Sequence, residues 1–346
     1  MSCCDETTAR VPDTDVSRRS LFKGATLIAS LLPAVGPTRS EAQGKKVTLA
    51  FCSQLLCVVP YEIARAGGHF KTHGLDVELV YTRGGNAAMQ ALIGGAVDYG
   101  ATSLDVAIQA YANGADIRRF ATTGRLPLFA LATAPKTAGQ IRSVNDLAGK
   151  TVGVSALGNA DHALLLFLLK QANVDASKVQ FAMLGVNLLE ALRQAQVDAG
   201  LVQEPALTIL LRSGARVLVN AMDMADAQKY LGGTYEFMGV AVRAKDVEAR
   251  RVEMTALARG LADALKAQRN LSAEQLVAAL PRELIAGLDT KELGDLLVRY
   301  RNSLYPETVT IDLDSSKRVA DSLIVGGLLR SDANLAGLYD TTIAGG

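Results

Sequence analysis

The sequence predicts an α/β fold in two lobes, each a mostly parallel sheet flanked by helices, with a ligand cleft between them. Three observations carry this reading. β-rich and helical runs alternate along the chain. The text "ALIGGAVDYG" from Ala91 returns as "ALRQAQVDAG" from Ala191, so a similar unit is built twice. A strand-like run after the second copy, "EFMGVAVRA" (Glu236 to Ala244), reads as a return to the first lobe. The expected division is residues 43–130 for the first part of lobe 1 and 131–233 for lobe 2, with 234–346 returning to lobe 1 and adding C-terminal helices.

The first 42 residues differ in kind and are set aside. "SRRSLFK" (Ser17 to Lys23) places Arg18-Arg19 before the apolar run "GATLIASLLPAVGP", and "SEA" (Ser40 to Ala42) offers small residues to a signal peptidase. This order reads as a secretory signal of the twin-arginine type, cleaved near Ala42, and hence as a periplasmic mature protein.

From there the elements follow in turn. "KVTLAFC" alternates as a first strand, "VPYEIARAGGHFKTHG" has helical spacing with a glycine stop, and "LDVELVYT" is a second strand. "GGNAAMQALIGGA" is a short helix, "VDYGATS" a strand and "DVAIQAYANG" a helix, before the strand-like text of "RRFATTGRLPLFALATA". The second cycle repeats the order: strand "KTVGVS", helix "ADHALLLFLLKQA", strand "KVQFAML", helix "NLLEALRQAQ", strand "VDAGLV". "QEPALTILLRSG" and "ARVLVN" complete it, and the last hundred or so residues are mostly helical.

Composition excludes several roles. With 36 Lys plus Arg against 35 Asp plus Glu, nothing marks nucleic acid or an anionic membrane as a partner. The most apolar mature stretch, "ALLLFLLKQA", is broken by Lys170 and too short to span a bilayer, so it reads as a buried helix. Cys3 and Cys4 belong to the leader. Cys52 and Cys57 form either a disulfide across a tight loop or two buried free thiols, and spacing alone leaves both open.

Ligands of open α/β sheets bind beyond the carboxyl ends of the strands, where helices begin, so those loops supply the candidates. In "CSQLLCVVPYE", Ser53 and Gln54 are donors, while Leu55, Leu56, Val58 and Tyr61 either wall a cleft or pack against a helix. "TRGGNAA" puts Gly85 and Asn86 at a helix start, which suits an anionic head group or simply a capped turn. Thr102 and Ser103 end the strand in "GATSLD". The equivalent loop "SALGNADH" offers Ser155, Gly158 and Asn159, with Asp161 and His162 in the first helical turn. His162 is a ligand contact or a structural histidine. Glu204 in "VQEPA" caps a helix or faces the cleft, where it could take an amine or a pyrimidine N–H. Arg125 and Arg83 are the nearest cations for an acidic solute, and Tyr235 and Phe237 on the return crossover could stack on a planar one. No nucleophile–base pair, glycine-rich phosphate loop or metal cluster is legible, so no catalytic residue, metal or cofactor is expected. Asp98 and Asp198 in the repeat have a structural task, turning the chain into equivalent strands.

The text "NDLAGKTVGVSALGNADHALLLFLLKQANVD", then "EALRQAQVDAGLVQEPA", resembles the solute-binding proteins of ABC importers. "YEIARAGGHFKTHGLDVELVYTRGGNAAMQALIGGAVDYG" matches the first lobe of the same family, in the group serving nitrate, taurine, aliphatic sulfonates and thiamine-precursor pyrimidines. The resemblance spans Lys46 to Ala244. It implies the type II periplasmic-binding-protein fold, a monomer that closes by a hinge on its solute and delivers it to an ABC permease and ATPase complex. The implied solute is a small anion or a planar aromatic: a sulfonate, nitrate, a carboxylate or a pyrimidine. Two other roles share the fold: a pyrimidine synthase that uses its own histidine and bound pyridoxal phosphate, and a periplasmic sensing module.

Overall fold

Two five-stranded sheets organise the computed structural model, which describes residues 44–344. The export signal, with Arg18-Arg19, Cys3, Cys4 and the cleavage point after Ala42, lies outside the described residues. The first lobe begins with β1 (Lys45–Cys52), α1 (Leu55–Ala66), α2 (His69–Thr72) and β2 (Leu75–Thr82). It continues through α3 (Gly85–Ile93), β3 (Tyr99–Ser103), α4 (Leu104–Ala112) and β4 (Ile117–Thr122). The second lobe holds β5 (Ala130–Thr133), β6 (Thr151–Val154), α5 (Ala160–Gln171), β7 (Gln180–Met183), α6 (Leu188–Arg193) and β8 (Ala199–Val202). After it come α7 (Ala206–Arg212), β9 (Val217–Asn220) and α8 (Met224–Leu231). β10 (Met238–Arg243) then rejoins the first sheet.

The strand orders match: β2-β1-β3-β10-β4 in one lobe and β7-β6-β8-β5-β9 in the other. In each, the strand delivered by a crossover runs against the rest, β10 against β3 and β4, β5 against β8 and β9. The other pairings are parallel, which is why the sequence reads as strand–helix alternation.

The internal repeat has a physical explanation in both copies. Asp98 accepts the Thr48 N–H at 2.8 Å and its hydroxyl at 3.0 Å, and Asp198 accepts the Thr151 N–H at 2.9 Å. Thr48 and Thr151 each stand one residue before a register pair, Leu49 with Tyr99 and Val152 with Ala199. Each aspartate therefore ties the start of one strand to its parallel neighbour. The glycine two residues on admits the preceding helix. A Cβ on Gly100 would lie 3.1 Å from Leu92 Cβ, and one on Gly200 would lie 3.2 Å from Leu192 Cδ1. Hence the recurrence of leucine, aspartate and glycine together.

The apolar text after β1 is not a loop. Helix α1 starts at Leu55, so Leu55, Leu56, Val58 and Tyr61 are helical and buried. Pro60 sits inside this helix without an N–H to offer Leu56, four residues back. The Tyr305 hydroxyl, 2.8 Å from the Leu56 carbonyl oxygen, donates in its place.

The C-terminal region is helical: α9 (Val247–Gln268), α10 (Ala273–Ala278), α11 (Arg282–Ile285), α12 (Thr290–Leu304) and α13 (Leu313–Val325). α9 packs on α1 and α2, whereas α13 packs on both α4 of the first lobe and α5 of the second. The two crossing segments bond to each other, Tyr235 N–H to the Arg125 carbonyl and Phe237 N–H to that of Gly124, both at 2.8 Å. Beneath them the buried Arg119 guanidinium donates to the carbonyls of Phe237 at 2.7 Å and Thr102 at 3.0 Å, with Glu236 at 3.4 Å. A Cβ on Gly239 would fall 2.5 Å from Arg119 Nη2, so this position makes room for the guanidinium.

Candidate functional site

The cleft opens at the carboxyl ends of β1, β3, β6 and β8, where the chain enters helices. Its inner end, about 420 Å³ between the atoms, is lined from the first lobe by Gln54, Arg83, Gly84, Gly85, Thr102 and Ser103. Ser155, Asn159 and Asp161 face them from the second lobe, and Phe129 and Phe237 belong to the crossing segments. These two rings meet edge-on, their centroids 6.0 Å apart. Outward, a groove of about 2200 Å³ adds Ser53, Leu55, Gln203 and Glu204 with an apolar wall of Leu184, Leu188, Leu189, Leu284 and Leu288.

Helices α1, α3, α4 and α5 begin at this cleft, from Gln54, Gly84, Ser103 and Asn159, and none of the four residues caps its helix with a side chain. Helix N-termini leave backbone N–H groups unpaired and carry partial positive charge. Arg83 lies beside them and has no ion-pair partner among the described residues. The two carboxylates of the cleft are already engaged. Asp161 accepts the Ser155 N–H at 2.5 Å and hydroxyl at 2.8 Å; burial pushes its carboxyl up in pKa, and those hydrogen bonds oppose the rise. Glu204 accepts the Thr208 N–H at 3.0 Å in the first turn of α7, and the Tyr300 hydroxyl lies 3.5 Å away. Two buried amide oxygens, of Asn159 and Gln203, have no partner. Both are acceptors, which call for an N–H or O–H donor.

The lobes meet directly. Gln203 Nε2 donates to Gln54 Oε1 at 2.5 Å, and Gln109 Nε2 donates to the Gly158 carbonyl at 3.2 Å. Both bonds cross the cleft, so this is its closed form.

Of the residues expected from sequence, the inner pocket gathers Gln54, Gly85, Thr102, Ser103, Ser155 and Asn159. Ser53, Leu55 and Glu204 line the outer groove. Asn86 is exposed, its amide nitrogen 3.9 Å from where a Cβ on Gly158 would stand across the cleft. Four expectations are corrected. Tyr61 is a core residue, stacked on Phe51 at 5.2 Å with its hydroxyl 2.8 Å from that of Thr123. Arg125 serves the end of α12, donating to the carbonyls of Ser303 at 3.1 Å and Asn302 at 2.5 Å, where a cation complements the helix dipole. His162 is in neither lining: its Nδ1 accepts the Gly158 N–H, its ring meets Phe181 edge-on, and burial lowers its pKa. Tyr235 cannot stack on a solute because its buried hydroxyl is fixed 2.7 Å from both Asp105 and Ser322. Sequence reasoning missed Gln109 and Phe129. A glutamine inside a helix and a phenylalanine in a crossover carry no local signal of the surface they face.

This architecture is the two-lobed α/β fold of type II periplasmic binding proteins, as comparison with solved structures shows. A protein of Bordetella bronchiseptica RB50 matches at TM-score 0.78 and 24% identity, over 87% of this chain and 96% of that one. The periplasmic aliphatic sulphonate binding protein of Escherichia coli matches at TM-score 0.66 and 20% identity, over 86% and 93%. The periplasmic nitrate-binding protein of Synechocystis PCC 6803 matches at TM-score 0.67 and 11% identity, over 87% of each chain. No curated protein matches the sequence. The NMT1/THI5-like family model matches residues 58–270, and the chain belongs to that family.

Proposed function

We propose that this protein is the extracytoplasmic solute-binding component of an ABC importer, capturing a small anionic solute by hinge closure and delivering it to a membrane permease. The observation that carries the reading is the set of uncapped helix N-termini at the inner pocket, with Arg83 beside them. The cleft's own carboxylates, Asp161 and Glu204, are supplied with donors by the protein. The Leu104 N–H of α4 is bonded to the Phe237 carbonyl at 2.8 Å, so the starts of α1, α3 and α5 with Arg83 are the donors left for a solute. Backbone N–H groups and a guanidinium suit a sulfonate, carboxylate or nitrate. The Phe129–Phe237 pair and the leucines of the outer groove suit an apolar or planar remainder. Relatives of this fold are described as binding aliphatic sulphonate and nitrate, both anions. Family and fold support binding rather than catalysis.

Thermal melts of the mature protein against alkanesulfonates, carboxylates, nitrate and pyrimidines test this. A ligand at a hundred times its Kd stabilises by about 2.7 kcal/mol, so one anion class should raise the Tm by several degrees. If anions leave the melt unmoved while a neutral or cationic solute shifts it, the anion reading is wrong.

A further inference from the structure

The cleft has a chemical feature that solute capture does not use. Cys52 ends β1 and Cys57 lies in the first turn of α1, and both side chains line the inner pocket. The turn between them is tight, with the Cys57 N–H bonded to the Gln54 carbonyl at 2.9 Å. Both cysteines are free and buried, five residues apart across this turn. Cys52 Sγ is 4.0 Å from Gln54 Oε1, the atom that accepts the cross-lobe bond from Gln203. The Cys52 thiol thus touches a contact that holds the lobes together, and Cys57 lines the same pocket. Past Ala42 they are the chain's two cysteines, so neither has another partner within the mature protein.

We propose that Cys52 and Cys57 form a redox site in the floor of the cleft, closing to an intramolecular disulfide when a small-molecule disulfide enters the open form. In the first step one cysteine thiolate attacks the oxidant's S–S bond, forming a mixed disulfide and releasing one thiol. The second cysteine attacks the mixed disulfide, releasing the other. The protein loses two electrons and two protons, and the oxidant's disulfide becomes two thiols. Closure gates the reaction. In the closed form burial keeps the Cys57 thiol protonated, and a thiol is not the attacking species. Opening withdraws Gln203 and admits water and oxidant. A disulfide would in turn remove the Cys52 donor from Gln54 and draw the first turn of α1 toward β1. The Gln54–Gln203 contact is then weakened, and the oxidised protein favours the open form. The exported compartment expected from the leader is one in which disulfides persist.

The test uses reduced mature protein and oxidised glutathione, followed by denaturing alkylation and intact mass. The expected product is a chain two hydrogens lighter that takes no alkyl group, while Cys52→Ser gives only a glutathione adduct or one alkylated thiol. Wild-type protein that keeps two alkylatable thiols, or accumulates only glutathione adducts, overturns the proposal. Gln203→Ala should oxidise about three- to tenfold faster, because opening exposes the buried thiols; an unchanged rate overturns the gating. Small-angle scattering of the oxidised wild type should show a larger radius of gyration than the reduced form, and equal radii overturn the link to closure. None of these readouts involves the solute, so they stand or fall apart from the anion reading.

Discussion

At the scale of single residues, Asp105 illustrates how burial sets the chemistry of the hinge. It lies in the first turn of α4, with one oxygen 2.7 Å from the Tyr235 hydroxyl and the other without a partner. Burial pushes its carboxyl up to about 6, against the opposing effects of that hydrogen bond and of Arg119. The folded protein therefore holds a proton that the unfolded chain releases at about pH 4. By linkage the contribution to stability is greatest below pH 4 and is lost as pH rises through about 6. Asp105→Asn keeps an acceptor for Tyr235 and removes the buried charge. It should stabilise the fold at pH 7 by about 1–3 kcal/mol and give no gain at pH 4. Urea melts at the two pH values measure this, and an equal effect at both would remove the explanation.

At the scale of elements, α1 shows where sequence reading succeeds and where it stops. Strands such as Lys45–Cys52 and Leu75–Thr82 were legible because alternation and β-branched content are local properties. The recurrence of Leu92, Asp98 and Gly100 as Leu192, Asp198 and Gly200 was legible as architecture, since one packing solution needs the same residues twice. The start of α1 was not: helical text is legible only from Val59, because Tyr305, which serves the carbonyl that Pro60 leaves free, is some 250 residues away. The candidate site was partly legible for the same reason. Strand-end residues such as Ser103 and Asn159 reach the cleft by topology, which sequence order supplies. Arg125, His162 and Tyr235 were misplaced because their partners come from tertiary packing. Tyr305→Phe isolates one such contact. It leaves the Leu56 carbonyl without its donor and should cost about 1–3 kcal/mol in denaturant melts. A loss below a few tenths of a kcal/mol would mean that water or another donor replaces the hydroxyl.

At the scale of the molecule, two similar lobes, two crossing segments and C-terminal helices that touch both lobes make closure the motion this fold offers. Two polar bonds cross the cleft, Gln203–Gln54 and Gln109–Gly158, and the C-terminal helices add the Arg212–Glu292 ion pair and the packing of α13 on α4 and α5. In the function proposed above, a solute that touches both lobes supplies the difference in affinity that shifts the population toward closure. The central claim is that this solute is an anion received by uncapped helix N-termini and Arg83. Isothermal titration of the mature protein, wild type against Arg83→Ala, with the anion that most raises the melt, tests it most directly. The account predicts saturable one-to-one binding that Arg83→Ala weakens by about tenfold or more, as expected for loss of a charge-assisted hydrogen bond. Equal affinity in the two proteins, or heat from a neutral or cationic solute alone, would contradict it.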